Sequence, residues 1–183
     1  MPEIVVFHHA RGLTEDVIAL ASTLRDAGHS VHAPDLFAGR TFATIEDGVA
    51  HAESLGFPTL LERGRRATDA LAADLVYVGL SLGVLPAQLL AQTRPGARGA
   101  VLAHSCVPPE ELGGGWPADV PLQIHMTEDD PLSLPPNGDL AAARAFAEDG
   151  AELFLYPGSA HLFDAAATAV FTERVLAFLS RGQ

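Results

Sequence analysis

Ser81, the Asp129–Asp130 pair and His161 are the residues whose types can cooperate in one reaction. A serine hydroxyl is a weak nucleophile until a base takes its proton, and the base needs an acid to fix its tautomer. Ser81 sits at the centre of "GLSLG" (79–83), the pattern Gly-x-Ser-x-Gly. A nucleophile on a sharp strand-to-helix turn adopts strained backbone angles, and side chains two residues to either side would collide with neighbouring segments. The helix that follows points its first amides at the same place, where an oxyanion could be held. An ordinary Gly-Ser turn has the same five residues. The context separates the two, because a valine-rich run precedes this one and a helical pattern follows it.

The segments around these residues are expected to position them. "EIVVFHH" (3–9) reads as a buried strand running into a loop. Thr14 can cap the next helix, with Glu15 and Asp16 in its first turn and Gly28 as its stop. "SVHAPDLF" (30–37) reads as a second strand broken at Pro34. The stretch 44–73 is helical in pattern, with a break at "GFP" (56–58). "LVYVGL" is a third strand and "LGVLPAQLLAQT" the helix after it. "GAVLAHS" (99–105) and "PLQIHMT" (121–127) follow as strands, joined by a Gly/Pro-rich loop. "LAAARAFAEDG" is a helix, "ELFLYPG" a strand, and "DAAATAVFTERVLAFLS" the closing helix. Continuous apolar strands alternating with helices predict a mostly parallel sheet of about six strands, covered on both faces. A single three-layer α/β domain over 1–183 is expected. Ser81, the Asp pair and His161 all fall just beyond carboxyl ends of strands, where open parallel sheets gather their functional groups.

Composition narrows the partners. With 23 acids against 11 bases the formal net charge is −12, which disfavours nucleic acid and anionic lipid surfaces. No window is apolar for the length a membrane span needs. Glu3 stands where a signal peptide would carry basic residues, and the single cysteine, Cys106, fits a reducing compartment. A cytoplasmic protein with a small-molecule substrate is expected, its oligomeric state left open.

The eight histidines invite a metal reading, but no Cys/His or His/carboxylate cluster has ligand spacing, so none is expected. His8 and His9 are adjacent and would point to opposite faces of a strand. His9 remains a candidate for lining the site. His104 and His125 end buried strands and are expected to be packed and hydrogen-bonded, and Cys106 to be a small buried apolar residue. "GGGWP" (113–117) reads as a loop whose Trp116 either covers a pocket or anchors the loop.

"GLSLG", "HMTEDDP", "YPGSAHLF" and "PDLF" resemble the dienelactone hydrolase family of α/β-hydrolases, from Ile4 to Phe163. The resemblance implies the three-layer α/β-hydrolase fold in a compact version and a Ser81–His161–acid triad. Its His-x-x-x-x-Asp spacing selects Asp130 rather than Asp129 as the acid. It implies backbone oxyanion donors at Leu82 and, in "FHHARGL", at Ala10. Arg11, beside Ala10 in that loop, is with His9 a candidate for lining the pocket. Dienelactone hydrolases themselves use cysteine at the elbow, so Ser81 looks more like a general esterase. Ala165 falls where dienelactone-specific members carry an arginine, and His9 where those enzymes carry a glutamate. The expected activity is cofactor-free hydrolysis of a small ester, lactone or thioester through an acyl-enzyme. The rival is a catalytically silent scaffold of the same fold that binds a small molecule or a protein.

Overall fold

The computed structural model describes residues 3–181, so the outermost residues of the expected 1–183 domain lie outside it. Strand β1 (Glu3–Phe7) leads into helix α1 (Glu15–Asp26), then β2 (Ser30–His32), α2 (Ile45–Leu55) and α3 (Phe57–Thr68). β3 (Leu75–Leu80) and α4 (Val84–Thr93) follow, then β4 (Gly99–Ala103), β5 (Leu122–Thr127), α5 (Asp139–Glu148), β6 (Glu152–Tyr156) and α6 (Ala165–Arg181). The strands lie in the order β2-β1-β3-β4-β5-β6 and every neighbouring pair is parallel.

Alternation along the strands builds two cores. Val5, Phe7, Tyr77 and Leu102 face α2, α3, α4 and α5, whereas Ile4, Val6, Val78 and Val101 face α1 and α6. The central strands are buried on both faces, which is why their sequences are apolar throughout. Helix α1 buries Val17, Leu20, Ala21 and Leu24 at helical spacing, while Ile18 lies off that stripe and is 47% exposed. Thr14 occupies the N-cap position of α1 without a side-chain cap bond, and its hydroxyl donates to Asp16 instead. The expected break in 44–73 is Gly56, whose φ of 82° ends α2 and begins α3. The second strand is shorter than expected. It stops at His32, and Asp35 then accepts from the amides of Phe37 and Gly39 to fold "PDLF" into a loop.

The strand order has one functional consequence. From β1 the chain moves outward to β2, and it then returns to β3 on the other side of β1. The loops leaving β1 and β3 therefore diverge and leave a crevice at the carboxyl edge of the sheet. Ala10 and Ser81 stand on either side of it.

Candidate active site

Strand β3 is buried to its last residue and turns at Ser81 into one 3-10 turn, Ser81–Gly83, before α4 begins at Val84. Ser81 has φ 50°, a left-handed conformation that non-glycine residues rarely adopt. Both flanking glycines are required by space. A Cβ on Gly79 would stand 2.7 Å from the Gly83 carbonyl oxygen and the Val84 Cα. One on Gly83 would stand 2.7 Å from the His8 carbonyl oxygen and closer still to that of Phe7. The elbow is thus wedged between β1 and its own helix, and Ser81 is pushed out at the sheet edge.

Two further loops reach the same point. His161, in the loop after β6, takes the Ser81 hydroxyl proton donor at its Nε2, 2.6 Å away. Its Nδ1 donates to Asp130 Oδ2 at 2.7 Å. Asp130 is 1% exposed and held by two further donors, the Ser133 hydroxyl at 2.8 Å and the Leu132 amide at 3.0 Å. Asp129 is exposed, and its amide donates to the Gly158 carbonyl at 3.0 Å. That bond ties the loop carrying Asp130 to the loop carrying His161. Ser81, His161 and Asp130 therefore form one hydrogen-bonded line, with the imidazole between the hydroxyl and the carboxylate.

An open cleft of about 400 Å³ contains Ser81 and His161 and is also bordered by Ala10 and Leu82. That volume suits a small molecule. Ile45, Val49, Phe57 and Leu85 give it an apolar wall. Helix α2 presses on the Ala10 loop so closely that a Cβ on Gly48 would overlap the Ala10 carbonyl. The Phe42 amide, bonded to the Arg11 carbonyl at 2.9 Å, holds the same loop from the other side.

His9 and Arg11 take other places. His9 accepts from the Arg11 amide at Nδ1 and donates to Asp16 from Nε2 at 2.8 Å, a bond that holds the Asp16 carboxyl well below the usual range. It lines a separate depression of about 100 Å³, with His104 and Phe163. The Arg11 guanidinium donates to the Phe42 carbonyl. Neither is among the residues lining the Ser81 cleft.

His125 is packed and bonded as expected, to Tyr156 at 2.9 Å and Gln123 at 2.8 Å, and burial drives its pKa down to about 3. His104 is packed against Phe163 and hydrogen-bonded to the His161 backbone, as expected, while its Nδ1 is left without a hydrogen-bond partner. Burial pushes the Cys106 thiol up and keeps it unreactive. Trp116 is a loop anchor. Its indole donates to the Val120 carbonyl, its ring meets Phe146, and it borders a different depression beside α5. The sequence reading missed Ser105 and Asp139, which also line the Ser81 cleft. Among the described residues no group of three or more His, Cys, Asp or Glu side chains is arranged to hold a metal, and no helix is long and apolar enough to cross a membrane.

A six-stranded parallel sheet with a glycine-flanked serine elbow after its third strand is the α/β-hydrolase fold. Within that class the chain belongs to the dienelactone hydrolase family, whose model matches residues 1–175, and it is therefore a hydrolase with a small-molecule substrate. Solved structures agree on the fold. One is a dienelactone hydrolase-like promiscuous phosphotriesterase from metagenomic libraries, 20% identical, with a TM-score of 0.73 over 99% of this chain and 86% of that one. A putative α/β-superfamily hydrolase from Xanthomonas campestris pv. campestris is 23% identical, with a TM-score of 0.65 and full coverage of both chains, each 100%. Esterase PE8 is 21% identical with a TM-score of 0.65, covering 100% of this chain and 93% of that one. No curated protein matches the chain.

Proposed function

We propose that this protein is a serine hydrolase cleaving short ester, lactone or thioester bonds through a Ser81 acyl-enzyme. The observation that carries the reading is the continuous line from Ser81 through His161 to Asp130, with bonds of 2.6 and 2.7 Å. Ser81 Oγ attacks the carbonyl carbon as His161 Nε2 takes its proton. Asp130 keeps Nδ1 protonated and stabilises the imidazolium that forms. The carbonyl electrons move to oxygen, and the amides of Leu82 and Ala10 receive the oxyanion. Collapse of the tetrahedral intermediate expels the leaving group, which takes the proton from His161. Water then repeats the sequence on the acyl-enzyme and returns Ser81. The scheme uses the chain's own residues and water.

The test is labelling by a fluorophosphonate probe alongside hydrolysis of p-nitrophenyl acetate and butyrate. The wild-type protein should be labelled stoichiometrically, and Ser81→Ala should lose labelling and at least about a thousandfold in kcat/KM. A folded wild-type protein that is neither labelled nor active would leave a silent binding scaffold as the better account.

A further inference from the structure

Among the described residues Asp139 is the one acidic side chain bordering the cleft, and it is half-buried at the first turn of α5. The Ser105 hydroxyl donates to its Oδ2 at 2.6 Å, and burial raises its pKa above the usual carboxylate value. A carboxylate offers about four acceptor sites, so the bonds from Ser105 and from the Cys106 backbone leave others for a ligand. The chain has no lysine, and none of its 11 arginines lines the cleft to neutralise this charge.

The walls of the cleft differ by side. Ala10, Ile45, Val49 and Phe57 come from the loops and helices attached to β1 and β2. Ser105, Leu132, Asn137 and Asp139 come from the connections after β4 and β5, across Ser81 in the strand order, so that side adds three polar groups to one apolar residue. His161 comes from beyond β6, on that second side. Because His161 must hand its proton to the leaving atom, the leaving arm lies on the side of Asp139, and the acyl chain lies against the apolar wall.

We propose that Asp139 selects substrates whose leaving arm carries a cationic amine, and that it rejects those whose arm carries a carboxylate. The inference rests on the serine-hydrolase reading for the direction of the leaving arm. An unneutralised carboxylate in a cleft partly shielded from water attracts an ammonium group and repels an anion more strongly than the same charge on an open surface. The net charge of −12 adds a long-range field of the same sign. Asp139 also ties the end of β4 to α5 through Ser105, and the test must separate that bracing role from selection.

Three butyryl thioesters built on the same two-carbon thiol arm do so, those of thiocholine, of its neutral isostere 3,3-dimethylbutanethiol and of 3-mercaptopropionate. All release a thiol read by the same chromogen. With the neutral thioester as reference, the wild-type enzyme should prefer the cation over the anion by about tenfold or more in kcat/KM. Asp139→Asn keeps an acceptor for Ser105 and removes the charge, and it should collapse that ratio about tenfold. A wild-type preference for the anion, or an unchanged ratio in Asp139→Asn, would overturn the proposal. Equal loss on all three thioesters would mean bracing alone and would overturn it too. Ligand-observed NMR of wild-type protein with choline and 3,3-dimethylbutanol needs neither turnover nor a folded variant. Tighter binding of choline supports the proposal, and equal binding refutes it. Failure of the serine reading has a separate signature, the absence of fluorophosphonate labelling.

Discussion

Acid should unfold this protein through a histidine that takes no part in the proposed chemistry. His125 lies in β5 with no exposed surface, between Gln123 and the Tyr156 hydroxyl, and its ring stacks on Phe154. Burial, with a smaller push from the Arg174 cation, depresses its pKa to about 3. The unfolded chain binds this proton near the ordinary value of about 6.5, and the folded chain does not. Stability is therefore complete above the unfolded value and is lost as pH falls through about 6.5 towards 3. Between about pH 7 and pH 5 the folded protein keeps His125 neutral while the unfolded state protonates, which costs about 2 kcal/mol. His104 and His8, also lowered by burial, act in the same direction. Asp139, raised by burial, acts in the opposite one. The held-down carboxyls of Asp16 and Glu152 cost stability only below about pH 4. Urea unfolding at constant ionic strength measures the loss, and His125→Gln removes the titration while keeping a donor and an acceptor. The wild-type protein should lose about 2 kcal/mol more than His125→Gln over that window. Parallel pH dependences in the two proteins would refute the reasoning.

Three substitutions probe the site itself. Asp130→Asn should lower kcat by about a thousandfold or more, because it removes the acceptor that fixes the His161 tautomer, whereas exposed Asp129→Asn should cost only a few-fold. Equal effects in a p-nitrophenyl ester assay would show that the acid loop is set differently. Gly83→Ala drives a Cβ into the backbone of Phe7 and His8, so it should cost about 3 kcal/mol or more and lower Tm by about 6–12 °C. An unchanged melting curve would mean that the elbow has room to spare.

Much of this was legible because the sheet is parallel and buried. Val76 and Val78 face one layer of helices and Leu75 and Tyr77 the other, so "LVYV" carries no polar residue and reads as a central strand. The glycines around Ser81 were equally plain, since backbone crowding leaves no other residue at those positions. The choice of Asp130 over Asp129 came from the spacing the family shares. One residue along a loop decides burial, and local sequence does not fix it. His9 and Arg11 were read as pocket-lining because they adjoin Ala10. The loop's bonds to Asp16 and Phe42, seven and thirty-one residues away, turn both side chains elsewhere. Asp139 and Ser105 escaped notice for a related reason. They come from separate connections, α5 was read from Leu140, and neither residue belongs to a motif.

The seating of α2 on the Ala10 carbonyl bears on how this cleft can change over evolutionary time. Ile45, Gly48 and Val49 share one face of that helix, so the surface that would bound the acyl chain is also the clamp on the loop proposed to hold the oxyanion. Moving the helix outward to admit a bulkier acyl group would release Ala10, and chain-length range would widen at the expense of rate. Trimming Ile45 or Val49 in place enlarges the wall and leaves the clamp untouched. Lineages that acquire larger substrates should therefore do so by shortening side chains on this face, with Gly48 and the helix axis left where they are.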